Sequence, residues 1–291
     1  MKALLIRHKK AGDGSVRRKA LVEAIEAAGW TVASLPRKKA DAEAIAGAKP
    51  DLVAVAGGDG TVAAIVRMLP DRSVPLAIIP AGTANNIARS LGMCGDPVAS
   101  IAGWDFERRR RLDVGDVHGP WGCRRFVEGV GFGAFADSLR AVDACKDEPG
   151  CPTGREALRS ALREAAPLPL GIEIDGAPLA DEVILLEVMN IAMTGPRLPL
   201  APDARPGDGM LHISWLAAAR REAMIRWLGK EKGAPPIEQR SGREMRLAGG
   251  GAAMRIDDRA CRLKPGTEVI VRLEGQPVQV LAPPDAPALA G

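Results

Sequence analysis

The chain has no tyrosine and few other rings, with aromatics at 3% of its 291 residues. That scarcity argues against a protein that holds nucleic acid by stacking bases on aromatic side chains. Only three histidines occur, His8, His118 and His212. They are far apart in sequence, so no histidine-rich zinc site is expected. The five cysteines, Cys94, Cys123, Cys145, Cys151 and Cys261, are odd in number and form no C-x-x-C pair. A disulfide framework is therefore not expected, and reduced thiols in a cytoplasm fit better, although Cys145 and Cys151 could pair in an oxidising setting. No stretch reaches the roughly 18 apolar residues that a membrane span needs. The apolar run Ala3–Ile6 is too short for a signal-peptide core and reads as a first strand. Neither a P-loop nor a G-x-S-x-G nucleophile turn is present.

What is there suffices for about two domains, at about 150 residues each, with 46% apolar residues to fill their cores. The net charge of +4 is uneven: residues 1–111 hold 18 Lys/Arg against 11 Asp/Glu, and the remainder 22 against 25. A basic first half suits an anionic partner such as nucleotide phosphate or an acidic membrane surface, though ordinary solvated surface is the commoner source of such an excess.

Apolar strands at Ala3–Ile6, Thr31–Leu35, Leu52–Ala56 and Leu76–Ile79 alternate with helical spacing over 17–28, 40–48, 61–69 and 83–91. Continuous apolar strands separated by helices predict a parallel sheet covered on both faces, with ligands at the carboxyl ends of its strands. After Trp104 strand-like segments dominate: 112–117, 124–130, 170–175, 183–189, 210–215, 254–257, 268–273 and 278–281. Helices are expected at 134–146, 155–165 and 220–228. The expected organisation is an α/β domain over 1–106, a β-rich sandwich over 107–282 and a disordered Pro/Ala tail over 283–291.

Two turns carry the chemistry. Gly57-Gly58-Asp59-Gly60-Thr61 stands where a strand ends and a helix begins. Glycines there admit close backbone approach, a helix N-terminus suits phosphate, and Asp59 could orient a ligand group. Pro80-Ala81-Gly82-Thr83-Ala84-Asn85 repeats the arrangement one strand later, with Thr83 as a cap or phosphate donor and Asn85 as a further hydrogen-bonding group. The run Gly129-Val130-Gly131-Phe132-Gly133-Ala134 matches G-x-G-x-x-A, but the rest of a dinucleotide unit is not evident. Arg108–Arg111 could face anionic lipid, with a solvated strand edge as the commoner explanation. Ile225, Trp227 and Leu228 could touch membrane, with core packing again commoner.

Gly57–Thr61 followed by Pro80-x-Gly82-Thr83-x-Asn85-x-x-Ala88-Arg89 resembles the diacylglycerol kinase catalytic domain. Soluble bacterial lipid kinases are nearest in architecture, with sphingosine kinases and NAD kinases more distant. Later landmarks recur in order: Leu112-Asp113-Val114-Gly115, Phe126 to Gly131, Asn190, Gly195, Pro202-x-Ala204-x-x-x-Asp208-Gly209-x-Leu211, and Arg255-Ile256-Asp257. The resemblance implies an NAD kinase/diacylglycerol kinase-like α/β domain with ATP on Gly57, Gly58, Asp59, Gly60, Thr61, Gly82, Thr83 and Asn85, helped by Lys9 and Gly12. It implies Asp257 as the base for a lipid hydroxyl, and a structural Mg²⁺ held by Asp208 with backbone oxygens of Arg205 and Met210. It further implies a cytoplasmic protein that docks transiently on membrane and takes no nucleic acid; the oligomeric state is left open, a homodimer included. Three departures stand out: His8-Lys9-Lys10-Ala11-Gly12 replaces an Asn-Pro loop, Glu128 replaces an Asn, and Asp257-Asp258-Arg259 replaces Asp-Gly-Glu. They motivate a non-catalytic nucleotide-binding regulator as an alternative, beside a kinase of small NAD-type alcohols.

Overall fold

The computed structural model describes residues 1–9, 17–145, 148–230 and 232–282. Gly12 and the tail 283–291 lie outside the described residues. The chain forms two units. The first comprises residues 1–114, 205–208 and the C-terminal residues from Gly275. The second comprises 115–204 and 209–274.

In the first unit β1 (Lys2–Arg7), α1 (Arg18–Ala27), β2 (Thr31–Pro36), α2 (Ala42–Ala48), β3 (Leu52–Gly57), α3 (Asp59–Met68), β4 (Leu76–Pro80) and α4 (Asn86–Ser90) follow in turn, then β5 (Arg109–Leu112). The sheet order is β2-β1-β3-β4, then the terminal strand Val278–Leu281, then β5. All pairs are parallel except the last. Ala3, Leu5, Ala54 and Ala56 pack with Leu21, Ile25 and Trp30 on one face. Leu4, Ile6, Val53 and Val55 alternate to the other face and are equally buried. Double-sided burial accounts for the uninterrupted apolar runs. Asp41 caps α2 by accepting from the Ala44 N–H at 2.8 Å.

The terminal strand departs from the expected single boundary near residue 106, because its partner is the first sheet. A four-residue apolar strand does not announce which sheet it joins. β5 is an edge strand, and two of its three arginines are engaged locally. Arg110 donates to the Leu91 carbonyl at 2.6 Å, while Arg109 donates to Phe106 O and lies 4.2 Å from that ring's centroid.

The second unit runs β6 (Gly115–Gly119), β7 (Gly122–Phe126), β8 (Gly129–Gly133), α5 (Ala134–Cys145), α6 (Gly154–Glu164), β9 (Leu170–Ile174), β10 (Ala177–Pro178), β11 (Val183–Met189), β12 (Leu211–Ala217), α7 (Arg221–Lys230), β13 (Glu238–Gly242), β14 (Glu244–Gly249), β15 (Ala253–Ile256), β16 (Arg259–Arg262) and β17 (Thr267–Leu273). The terminal strand of the first unit is then β18. Two antiparallel sheets result, ordered β10-β9-β14-β17-β6-β7 and β13-β12-β11-β8-β15-β16. Val117, Phe126, Leu247 and Val271 of one meet Val130, Phe132, Val188 and Met254 of the other, which makes the sandwich. The second sheet's other face is covered by α5, α6 and α7, whose Phe135, Leu158, Met224, Ile225, Trp227 and Leu228 form a further core. Those residues of α7 are thus packing residues.

Cys145 and Cys151 are bonded to each other, which corrects the expectation of thiols throughout, while Cys94, Cys123 and Cys261 are free. Six residues of separation bring the two cysteines within bonding reach, with Cα atoms 5.4 Å apart. No helix among the described residues is long and apolar enough to cross a membrane.

Candidate functional site

The loops after β1, β3 and β4 share one rim of the first sheet because these strands are parallel. The His8 N–H donates to the Ala56 carbonyl at 3.1 Å, so Lys9 follows beside the end of β3. A cavity of about 290 Å³ at this end of β1 and β2 is lined by Arg7, Lys9, Arg18, Arg37 and Lys38, with Leu5 and Leu35 on its floor.

The two glycine corners touch. A Cβ on Gly82 would stand 2.4 Å from the Gly58 Cα, closer than any side chain allows. Gly57 is equally constrained, since a Cβ there would lie 2.7 Å from that of Thr61. The Ala81 N–H donates to Gly57 O at 3.0 Å, and the Thr61 and Val62 N–H groups donate to Gly58 O at 2.9 and 3.1 Å. Asn85 takes the left-handed conformation, with φ 53°. Its amide closes the second corner on itself, accepting from Gly82 N and donating to Gly82 O, both at 2.8 Å. Gly60, Gly82 and Thr83 remain exposed.

Asp59 is turned inward to a neighbour. Its Oδ1 accepts from the Ile87 N–H at 2.8 Å, so the first corner caps the short helix of the second. The helix expected over 83–91 is therefore only Asn86–Ser90, and the second corner contributes loop backbone in place of a helix N-terminus. Burial raises the Asp59 carboxyl above its ordinary pKa, opposed by backbone N–H donors of Ile87, Asn86, Asp59 and Asn85. The folded protein thus holds this proton more readily than the unfolded chain. Stability falls as pH rises from the ordinary carboxylate range through the raised value. Asp59→Asn keeps an acceptor for Ile87 and removes the titration. Melting temperatures measured from pH 4 to 7 should fall less with pH in the variant than in the wild type.

In the second unit Asp257 and Asp258 form the two-residue turn between β15 and β16, because Ile256 pairs with Arg259. Asp257 is 3% exposed and left-handed, with φ 51°. Its Oδ1 accepts from three successive N–H groups, those of Val127, Glu128 and Gly129, at 3.0, 2.8 and 3.3 Å. Such a run of amides is a nest for an anion. Asp258 does not have a positive φ, so an Asp fits there where the family pattern carries Gly. Arg259 is exposed.

The cation that reaches Asp257 is Arg255, which the sequence reading did not assign a role. It is fully buried and donates to Asp257 O at 2.9 Å and twice to Glu187 Oε2, at 3.0 and 2.5 Å. Glu128 Oε1 lies 3.6 Å from its Nη1 and accepts from the Thr194 hydroxyl. Burial works against the Arg255 charge, but Glu187 and then Glu128 outweigh it and hold the guanidinium above its ordinary pKa. Gly131 makes this possible. It stands in register between Glu187 and Arg255, and a Cβ there would lie 2.1 Å from Glu187 Oε1. Of the glycines of β8, Gly131 is thus explained by a charge passing over the strand, while a Cβ on Gly129 would lie 2.6 Å from Met189 Sδ and Gly133 has φ 81°. The available signal was one charged residue inside each of the apolar strands VILLEVM and AMRI.

Arg205 and Asp208 share a turn of the first unit, in which the Asp208 N–H donates to Arg205 O at 3.4 Å. Met210 belongs to the second unit.

A parallel α/β unit with paired glycine corners, carried on one chain with an antiparallel sandwich, is the architecture of NAD kinase- and diacylglycerol kinase-type folds. Residues 2–117 match the diacylglycerol kinase catalytic domain, and residues 129–261 the YegS C-terminal NAD kinase beta sandwich-like domain. The chain is 33% identical over 229 residues to "Probable lipid kinase YegS-like" of Pseudomonas fluorescens, covering 75% of this chain and 73% of that one. The chain belongs to this diacylglycerol kinase and YegS-like lipid kinase family. It is also 30% identical over 186 residues to a diacylglycerol kinase of Mycobacterium tuberculosis, a match spanning 60% of this chain and 58% of the relative. Among solved structures, a diacylglycerol kinase from Bacillus anthracis superposes with a TM-score of 0.69 at 22% identity, covering 98% of each chain. An NAD kinase from Archaeoglobus fulgidus in complex with ATP superposes at 0.55 and 12% identity, covering 97% of this chain and 94% of that one. These likenesses concern the fold.

Proposed function

We propose that the chain transfers the terminal phosphoryl group of ATP to the hydroxyl of a lipid presented at a membrane surface. The observation that carries this reading is the contact between Gly58 and Gly82. It holds exposed backbone of Gly60, Gly82 and Thr83 beside the N-terminus of the ten-residue α3, a place suited to the phosphates of a nucleotide. Lys9 and its neighbouring cations add charge where the family's Asn-Pro loop is missing.

Phosphoryl transfer asks the protein for alignment, a proton acceptor and neutralisation of charge. Asp257 would accept the hydroxyl proton, its carboxylate held in place by the three N–H groups that donate to Oδ1. Arg255 and the 127–129 amides fix its position. The carboxylate of Asp208 and the carbonyl of Arg205, which share one turn, are hard oxygen donors of the kind Mg²⁺ takes. Bound Mg²⁺ supplies charge neutralisation.

The test is transfer of label from γ-labelled ATP to a total lipid extract, with NAD as a competing acceptor class. One labelled lipid product is expected. Gly82→Ala should weaken ATP binding about 10- to 100-fold, because parting the corners costs about 1–3 kcal/mol. Calorimetric titration measures this, with a melting curve to confirm folding. Wild-type affinity in Gly82→Ala would remove the corners from nucleotide binding. The exposed Arg259 in place of the family's glutamate favours one second reading, a nucleotide-binding regulator, which ATP binding without labelled lipid would select.

A further inference from the structure

The geometry points to a transition-metal site on the β6–β7 hairpin, built from Asp116, His118 and Cys123 and suited to Zn²⁺ or an ion of the same borderline class. Asp116 and His118 are two residues apart on β6 and so share a face. Cys123 is the direct cross-strand partner of His118 and stands on that face too. A carboxylate oxygen, an imidazole nitrogen and a thiol sulfur lie within 4.8 Å of one another. Tetrahedral bonds of about 2.0–2.3 Å separate ligand atoms by about 3.3–3.8 Å. Side-chain rotation of about an ångström therefore closes the trio on an ion, with the hairpin register unchanged.

Two orphaned atoms point the same way. Asp116 Oδ1 and His118 Nε2 are buried and have no hydrogen-bond partner. Buried polar atoms are ordinarily satisfied, so both residues have polar capacity that a bound cation could use. Two arginines stand in register with Asp116, Arg272 on β17 and Arg125 on β7, and Arg125 pairs with Glu274 at 3.0 Å; a bound cation would have to compete with them for the carboxylate. A sulfur, nitrogen and oxygen set selects against Mg²⁺ and Ca²⁺, which take oxygen, so this site would not compete for the ion of phosphoryl transfer. Three protein ligands leave a fourth position for water. Metal binding forms the sulfur–metal bond as the S–H proton leaves to solvent.

The experiment is a Co²⁺ titration of the reduced full chain followed by optical absorption. A thiolate-to-cobalt charge-transfer band saturating at one equivalent is expected, and one equivalent of Zn²⁺ should bleach it. Cys123→Ser and His118→Gln should lose the band while keeping the wild-type circular dichroism spectrum. Cys94→Ser and Cys261→Ser should retain it. A band that survives Cys123→Ser, or no band at one equivalent in the wild type, overturns the site. If His118→Gln fails to fold, Asp116→Asn, which keeps size and neutralises the carboxylate, must weaken cobalt binding for the proposal to stand.

Discussion

Asp257→Asn is expected to slow phosphate transfer to lipid by about 100- to 10,000-fold, the usual contribution of a positioned general base, while the protein stays folded. The substitution is informative because of where the two carboxylate oxygens go. Oδ1 receives the Val127, Glu128 and Gly129 N–H groups, and an Asn Oδ1 accepts the same three. The remaining atom becomes an amide nitrogen, which cannot take a proton from a hydroxyl. Some stability is lost with the charge, since hydrogen bonds to ions are roughly twice as strong as neutral ones. The loss should stay within about 1–3 kcal/mol. Asp257→Ala differs in kind, because it leaves three buried N–H donors without an acceptor, and it should melt well below Asp257→Asn. ATP affinity should be unchanged in Asp257→Asn, with the loss confined to kcat. Equal kcat in wild type and Asp257→Asn would reduce Asp257 to a clamp on residues 127–129 and leave the hydroxyl proton without an acceptor in the β15–β16 turn.

The parallel sheet was legible because both of its faces are covered, so the buried stretches of β1, β3 and β4 are uninterrupted apolar runs. The positions of the glycine corners followed from the same strands. What hid was non-local. The helix expected from Thr83 starts three residues later because the Asp59 carboxylate takes the Ile87 N–H and Asn85 is left-handed, and neither can be read from residues 83–91. The strands β13 and β14 carry little strand signal, because residues 238–249 are crowded with Arg, Glu and Gln. Only Met245 and Leu247 alternate inward from β14, a signal two residues long. The segment 112–117 divides between β5 and β6, which belong to different sheets. The network around Asp257 draws on residues 128, 187, 194 and 255. Each is a lone polar residue in its own segment, and only the register of β11, β8 and β15 puts Glu187 and Arg255 on either side of Gly131.

Arg255→Met should be the most destabilising single change away from the glycine corners, costing about 3–5 kcal/mol, the range for removing one partner of a buried ion pair. Methionine fills much of the arginine's volume and suits the Phe135 ring that the guanidinium faces at 5.0 Å. Packing is thus largely kept, and the cost is electrostatic: Glu187 stays fully buried without its cation. Burial already raises the Glu187 carboxyl, and Arg255 is what opposes that rise. Removing the arginine lifts the carboxyl further. Between its unfolded and folded values the native variant then binds more protons than the unfolded chain, so its stability rises as pH falls through that window. Urea denaturation at several pH values should show the deficit shrinking on the acid side. The double variant Arg255→Met/Glu187→Leu removes both charges and should recover most of the loss, as apolar replacement of buried pairs commonly does. Its lipid kinase activity should nonetheless remain low, because the donor to the Asp257 carbonyl is gone and the turn bearing that carboxylate is no longer tied from beneath. A fully active double variant would show that the 127–129 amides position Asp257 without help, and a wild-type melting curve for Arg255→Met alone would mean that Glu187 is neutral in the native protein.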